Sequence, residues 1–239
     1  MTLLDLTELM TLLDGIALGL LLLCWLCIGW WIERENTKRP SVTVLMIKYR
    51  QDWMREMITR EPRVFDASIL GSLRQSTSFF ASTSVIAIGG VLALIGNADR
   101  LVGVAADLTL QHLPTFVWEL KLGLVALLLT HAFLRFVWSN RLFGYSSVVM
   151  AAVPNRVDDP LSLPRAIQAA NLNIRAASNF NGGLRSMYFA LASLAWLAGP
   201  IPLILSILAT VWVLWSREFW SRSRDCLLAD PAINQKGPL

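Results

Sequence analysis

Uncharged apolar runs alternate with polar stretches along the chain, and their lengths predict its elements. The longest run, 186–216, spans 31 residues without a charged side chain and is interrupted only by Gly199-Pro200-Ile201-Pro202. A single helix of that length would reach about 45 Å, well past the roughly 30 Å of a bilayer's hydrocarbon core. The run is therefore one long tilted helix kinked at Gly-Pro, or two short helices that turn back on each other. Residues 16–32 form an uncharged run that ends in Trp30-Trp31, where indole rings suit a membrane interface. A second span falls within 75–98, between Arg74 and Asp99, with small hydroxyl residues near its start and Gly89-Gly90 as a surface for close helix approach. A third covers 114–138.

The polar stretches carry a different period. Val42, Leu45, Met46, Tyr49, Trp53 and Met57 recur at helical spacing opposite Lys48, Gln51, Asp52, Arg55 and Glu56, which predicts an amphipathic helix. Packing over the protein's own spans is the favoured role for it, ahead of lying on anionic lipid or gripping a partner. Pro62 permits a new helix start, with Phe65, Ile69 and Leu73 as its apolar stripe. Residues 158–164 read as a turn and a helix start, with Ser162 or a neighbour as cap. The helix that follows bears a polar seam of Asn171, Arg175, Ser178, Asn179 and Gly182, leading into Asn181 and Arg185. Residues 1–14 mix leucines with acids and suit a short interfacial helix.

Charge orders these elements across a membrane. The stretch 33–78 holds nine Lys or Arg against six acids, and 135–185 holds six arginines against two acids, so both are assigned to the cytoplasmic side. Arg185 precedes the last apolar run and Arg217, Arg222 and Arg224 follow it. Both ends then lie on the same side, which favours the hairpin over the kinked span. Arms of about 14 residues would be short for full crossings, and Ala192, Ala195 and Gly199 would let them approach closely. The expected organisation is a single all-α membrane domain over 1–239. Its spans are near 15–32, 76–98, 114–138, 186–199 and 201–216, and its cytoplasmic segments near 33–75, 139–185 and 217–239. The amino terminus would be outside and the carboxyl terminus inside a cell membrane, the inner one in a bacterium.

Composition agrees with a polytopic membrane protein. Hydrophobic residues make up 55%, more than one soluble core of 239 residues would use. The net charge of +4 is what orientation signals require and does not call for nucleic acid. The acidic start, with no Lys or Arg before Arg34, lacks the basic region of a signal peptide. Cys24, Cys27 and Cys226 do not make a disulfide framework and are read as reduced thiols, the first two as core packing.

Candidate chemistry is sparse. His112 and His131 lie on different elements, so no metal cluster of usual spacing arises, and no nucleotide loop or serine nucleophile elbow is present. Neither catalytic residues nor a cofactor site is assigned, and an enzyme is the least supported class. What remains is intramembrane and border polarity. Glu119 and Lys121 point in opposed directions on one helix and are expected at the interface, as is Arg135, whereas His131 is expected to be embedded. Arg141, Arg175 and Arg185 are expected to gather at the cytoplasmic mouth and meet Asp66 or an anionic lipid headgroup. The candidate cluster thus comprises Asp66, Glu119, Lys121, His131, Arg141, Asn171, Arg175, Asn179, Asn181 and Arg185.

Arg63-Val64-Phe65-Asp66-Ala67, Phe79-Phe80-Ala81-Ser82-Thr83, Glu119-Leu120-Lys121, Trp138-Ser139-Asn140-Arg141 with Phe143 and Tyr145, and Asn179-Phe180-Asn181-Gly182-Gly183-Leu184-Arg185 with Tyr188-Phe189-Ala190-Leu191 stand in an order that resembles the bacterial and plant membrane family catalogued as domain of unknown function 599. The resemblance covers about 45–220. It implies an all-helical membrane protein and supplies no activity. The favoured function is a structural or accessory subunit of a membrane complex, with membrane lipids and either further copies or other membrane proteins as partners. The alternative is a small-solute or ion transporter or channel with a path near the interrupted last helix.

Overall fold

The computed structural model describes residues 11–35, 38–99 and 114–229. Among these the chain is helical, without strands. Seven helices are used below: α1 Leu12–Ile32, α2 Val42–Glu56, α3 Val64–Ile95, α4 Thr115–Ala151, α5 Ser162–Leu194, α6 Pro200–Phe219 and α7 Arg222–Leu228. The expected interfacial helix over 1–14 and the outer loop with His112 lie outside the described residues, apart from the last few positions of the former.

Among the described residues, four stretches are long and apolar enough to cross a membrane: Leu12–Ile32, Val64–Ile95, Thr115–Ala151 and Pro200–Leu228. Two of the helices greatly outlast their apolar runs. α3 has 32 residues and α4 has 37, so each is longer than the roughly 20 residues that cross the hydrocarbon core. The helix expected after Pro62 and the second span are one continuous rod, and the third span continues to Ala151. A helix does not end where its side chains turn polar; it ends where a breaker or an unsatisfied backbone forces it to.

The chain falls into two compact units. One comprises 1–29, 83–133 and 184–214, and the other 30–82, 134–183 and 215–239.

In the first unit the last apolar run is a hairpin. A 3-10 turn, Ala195–Ala198, follows α5, and Gly199 takes φ 118°, a value that side chains resist. Pro200 then opens α6, where its missing N–H is not needed. Ser206 donates from Oγ to the Ala192 carbonyl at 2.8 Å, so the residues on either side of Gly199 face each other. The arms are longer than the 14 residues expected: α6 alone has 20, about 30 Å, a full bilayer crossing. α5 is not among the four apolar stretches, because its first half carries the polar seam.

Outward-facing leucines and isoleucines, such as Leu26, Ile86, Leu127 and Leu205, leave this unit apolar on its surface, as a lipid-facing protein requires. Cys27 belongs to that surface rather than to the core expected for it. Gly89 and Gly90 are exposed too, and no described atom lies within 4 Å of where a Cβ would stand on either. The close approach expected there is found instead at Gly182 and Gly183.

The second unit has its own core. Met54, Met57 and Ile58, at the end of α2 and just beyond it, pack with Leu70 of α3, Leu142 and Phe143 of α4, and Ala166, Ala169 and Ala170 of α5. The amphipathic helix therefore lies over the protein's own helices. Phe136 stacks on Phe80 at 5.5 Å, and Gly183 admits the Phe136 ring so closely that a Cβ there would stand 2.6 Å from it. Asp159, rather than Ser162, accepts the Leu161 N–H ahead of α5, at 2.8 Å. The Ser162 hydroxyl turns back to the Arg156 carbonyl, at 2.5 Å.

Candidate functional site

The N-terminus of α2 is where the second unit concentrates its polar bonding. The Ser41 hydroxyl donates to the Ile32 carbonyl at the end of α1, at 2.7 Å, and accepts the Val44 N–H at 3.2 Å, so one side chain serves two helix ends. Glu218, in the last turn of α6, accepts the Thr43 N–H and the Thr43 hydroxyl, both at 3.0 Å. A carboxylate at the positive end of a helix is favourable. Arg224 donates to the Pro40 carbonyl at 3.0 Å and closes the corner.

Against this corner lies one face of α5. Ile174, Ser178 and Asn181 recur at three- and four-residue spacing, as do Arg175 and Asn179. Together with the Thr43, Ile47 and Arg50 face of α2 they line a cavity of about 630 Å³, completed by Glu33, Glu35 and Glu218, and by Trp138 and Leu142 of α4. Glu33 accepts the Ser178 hydroxyl at 3.0 Å. Asn181 reaches the Thr43 hydroxyl at 3.5 Å. Asn179 donates to the Arg175 carbonyl at 2.9 Å and accepts from the Arg135 guanidinium at 2.8 Å. Arg50 bonds the side-chain oxygen of the fully buried Asn173. Burial pushes the Arg50 guanidinium below its ordinary pKa, so its charge is short of solvation there.

The expected candidate residues divide between the two units. Arg175, Asn179 and Asn181 come together in this cavity; Asn171 is exposed and is not part of its lining. Arg141 is exposed and lies over the Trp138 and Tyr145 rings at 5.9 and 6.0 Å. Asp66 is fully buried, but its partners are the Trp53 indole, at 2.7 Å, and the Arg60 guanidinium, not Arg141, Arg175 or Arg185. Arg60 lies six residues away across the Pro62 turn, and a local partner outcompetes distant ones because little chain must be ordered to reach it.

Arg185 belongs to the first unit, where its buried guanidinium runs beside Gly29; a Cβ on Gly29 would stand 3.3 Å from it. His131 Nδ1 lies 2.8 Å from the Ser186 hydroxyl, which also accepts the Trp25 indole N–H at 3.0 Å. The Trp25 and His131 rings meet edge to face at 5.0 Å. Glu119 is half-buried.

Lys121 is folded into the protein rather than extended outward as a snorkelling side chain would be. It is 3% exposed, and its ammonium donates to the Trp196 carbonyl at 2.9 Å, within the 3-10 turn. The Trp196 indole in turn donates to Asp14 at 2.7 Å. One tryptophan thus takes an acid on its side chain and a cation on its backbone, which satisfies both charges internally.

Sequence reasoning missed Glu33, Thr43, Arg50, Glu218 and Asp14. A signal existed for three of them. Glu33 and Glu218 are acids at span ends whose flanks are mainly basic, and Asp14 borders an apolar run. Thr43 and Arg50 carry no such signal, since polar residues on an amphipathic helix are ordinary.

These features define the class: among the described residues, an all-α chain with four stretches long and apolar enough to cross a membrane, and a cavity lined by charged, polar and apolar side chains in one of its two units. Within that class the chain belongs to the family described as protein of unknown function, DUF599, whose model matches residues 16–223. No curated protein and no solved structure matches it.

Proposed function

We propose that the protein is a structural or accessory subunit of a membrane complex, a multi-pass protein of the cell membrane with its amino terminus outside and its carboxyl terminus inside. The observation that carries this reading is how the polar groups of the first unit are used. Trp196 bonds Asp14 through its indole and Lys121 through its carbonyl, and Trp25 and His131 both bond Ser186. Groups that must escort a solute need to exchange partners, whereas these tie α1, α4 and the hairpin together. Lipid and neighbouring membrane proteins would then meet the exposed leucines and tryptophans.

A transporter or channel is the second reading, favoured by the cavity lined by Arg175, Asn179 and Asn181. Native mass spectrometry of the protein released mildly from its own membrane separates the two. Co-release of a different membrane protein in fixed proportion is the expected result. A homo-oligomer without other proteins, together with solute flux in liposomes, would overturn the accessory reading.

A further inference from the structure

The cavity of the second unit lies beside the C-terminal ends of α1 and α6. Glu33 directly follows the last residue of α1, and Glu218 is one residue from the end of α6. Trp31 and Trp215 meet edge to face at 4.9 Å, and Trp30 is exposed under Arg34. Tryptophans and a basic residue at a span end mark the depth of lipid headgroups. A volume of about 630 Å³ is that of a small-ligand site.

Its charges are mixed in a particular way. Glu33 is held by Ser178, and Ser178 stands three residues beyond Arg175 on α5, so the carboxylate and the guanidinium are served by neighbouring positions one helical turn apart. Glu35 adds a second carboxylate at the exposed edge and Glu218 a third, already held by the Thr43 N–H and hydroxyl, while Arg50 adds a second guanidinium. A simple anion would leave the carboxylates repelling it, and a simple cation would meet the arginines. A molecule with both charges close together satisfies both sets.

We propose that this cavity binds a zwitterion in which a primary ammonium lies next to a phosphate, the chemistry of an ethanolamine phospholipid headgroup or of its free soluble counterpart. The ammonium's three N–H donors suit Glu33 and Glu35, and the phosphate suits Arg175 and Arg50. A quaternary choline ammonium has no N–H to donate and fits less well. The proposal holds whether the protein is an accessory subunit or a transporter.

The test is native mass spectrometry of the purified, delipidated full chain titrated with phosphatidylethanolamine, phosphatidylcholine and phosphatidylglycerol. Phosphatidylethanolamine should bind about tenfold more tightly than either of the others. Arg175→Gln and Glu35→Gln, both at exposed positions that the fold does not depend on, should each weaken it several-fold and shrink the preference. Full displacement by soluble glycerophosphoethanolamine would assign the ligand to solution, and displacement only by the diacyl lipid would assign it to the bilayer; both support the chemistry. Equal binding of the three lipids, preference for phosphatidylglycerol, or unchanged binding in both variants would overturn it.

Discussion

Gly183 is the residue at which packing and backbone identity are most tightly coupled. A methyl group there would stand 2.6 Å from the Phe136 ring, and Phe136 is fully buried among Phe80 and Phe180. A rigid aromatic cluster has nowhere to move, so the overpacking must be absorbed as strain. Gly183→Ala is expected to destabilise the protein by about 1–3 kcal/mol. Gly89→Ala, in open space on α3, should be neutral or stabilising by about 0.5–1 kcal/mol through the helix propensity of alanine. Denaturant unfolding of both variants in the same detergent checks the contrast, and equal effects would refute it. At this scale the sequence showed that Asn179-Phe180-Asn181-Gly182-Gly183 is unusual, yet not which glycine faces a ring. Helical spacing names a face; only the neighbour's position says what the face meets.

At the scale of elements, the hairpin depends on one backbone angle. Gly199 has φ 118° and ψ 175°, a region that is essentially reserved for glycine. Gly199→Ala keeps the apolar character of the turn but forces a strained conformation, at a cost of about 1–3 kcal/mol. The lowered stability should appear in thermal unfolding, and cysteines placed at 192 and 206 of the parent chain should cross-link more readily than in the variant. An unchanged melting temperature would show that the turn has another geometry. The hairpin itself was legible, because arginines flank both ends of an apolar run broken by Gly-Pro-Ile-Pro. The lengths of its arms were not, since α5 carries its helix through a polar seam that hydropathy treats as an end. The same limitation hid the continuity of α3 and α4, in which apolar and polar halves share one unbroken ladder of hydrogen bonds.

For the whole molecule, the proposed orientation rests on the distribution of basic residues along the sequence and on a hairpin that returns to the side it left. Cys226 lies in α7 and is exposed, which makes it a reporter of the carboxyl-terminal side. With Cys24 and Cys27 replaced, a membrane-impermeant thiol reagent should leave Cys226 unlabelled in intact cells and label it after permeabilisation. Labelling of intact cells would reverse the assignment. The division into two units also belongs to this scale. Each holds bonded groups of its own: Asp14, Lys121 and Trp196 in one, Glu218, Thr43 and Ser41 in the other.

What the sequence by itself determined is the class of protein, the family, the amphipathic α2, the hairpin and the seam on α5. Each of these is written in local order: run length, period, breakers and the charges that flank them. The tertiary structure decided which polar groups meet. Nothing in the spacing of residues joins Glu33 to Ser178, Glu218 to Thr43 or Lys121 to the Trp196 carbonyl, because their separations along the chain are 145, 175 and 75 residues. Such pairs arise from how helices are brought alongside one another, and a buried charge accepts whichever partner that packing delivers. For that reason Asp66 is met by Arg60, and part of the seam expected among the candidate residues becomes one wall of a cavity whose other charges the sequence had left unremarked.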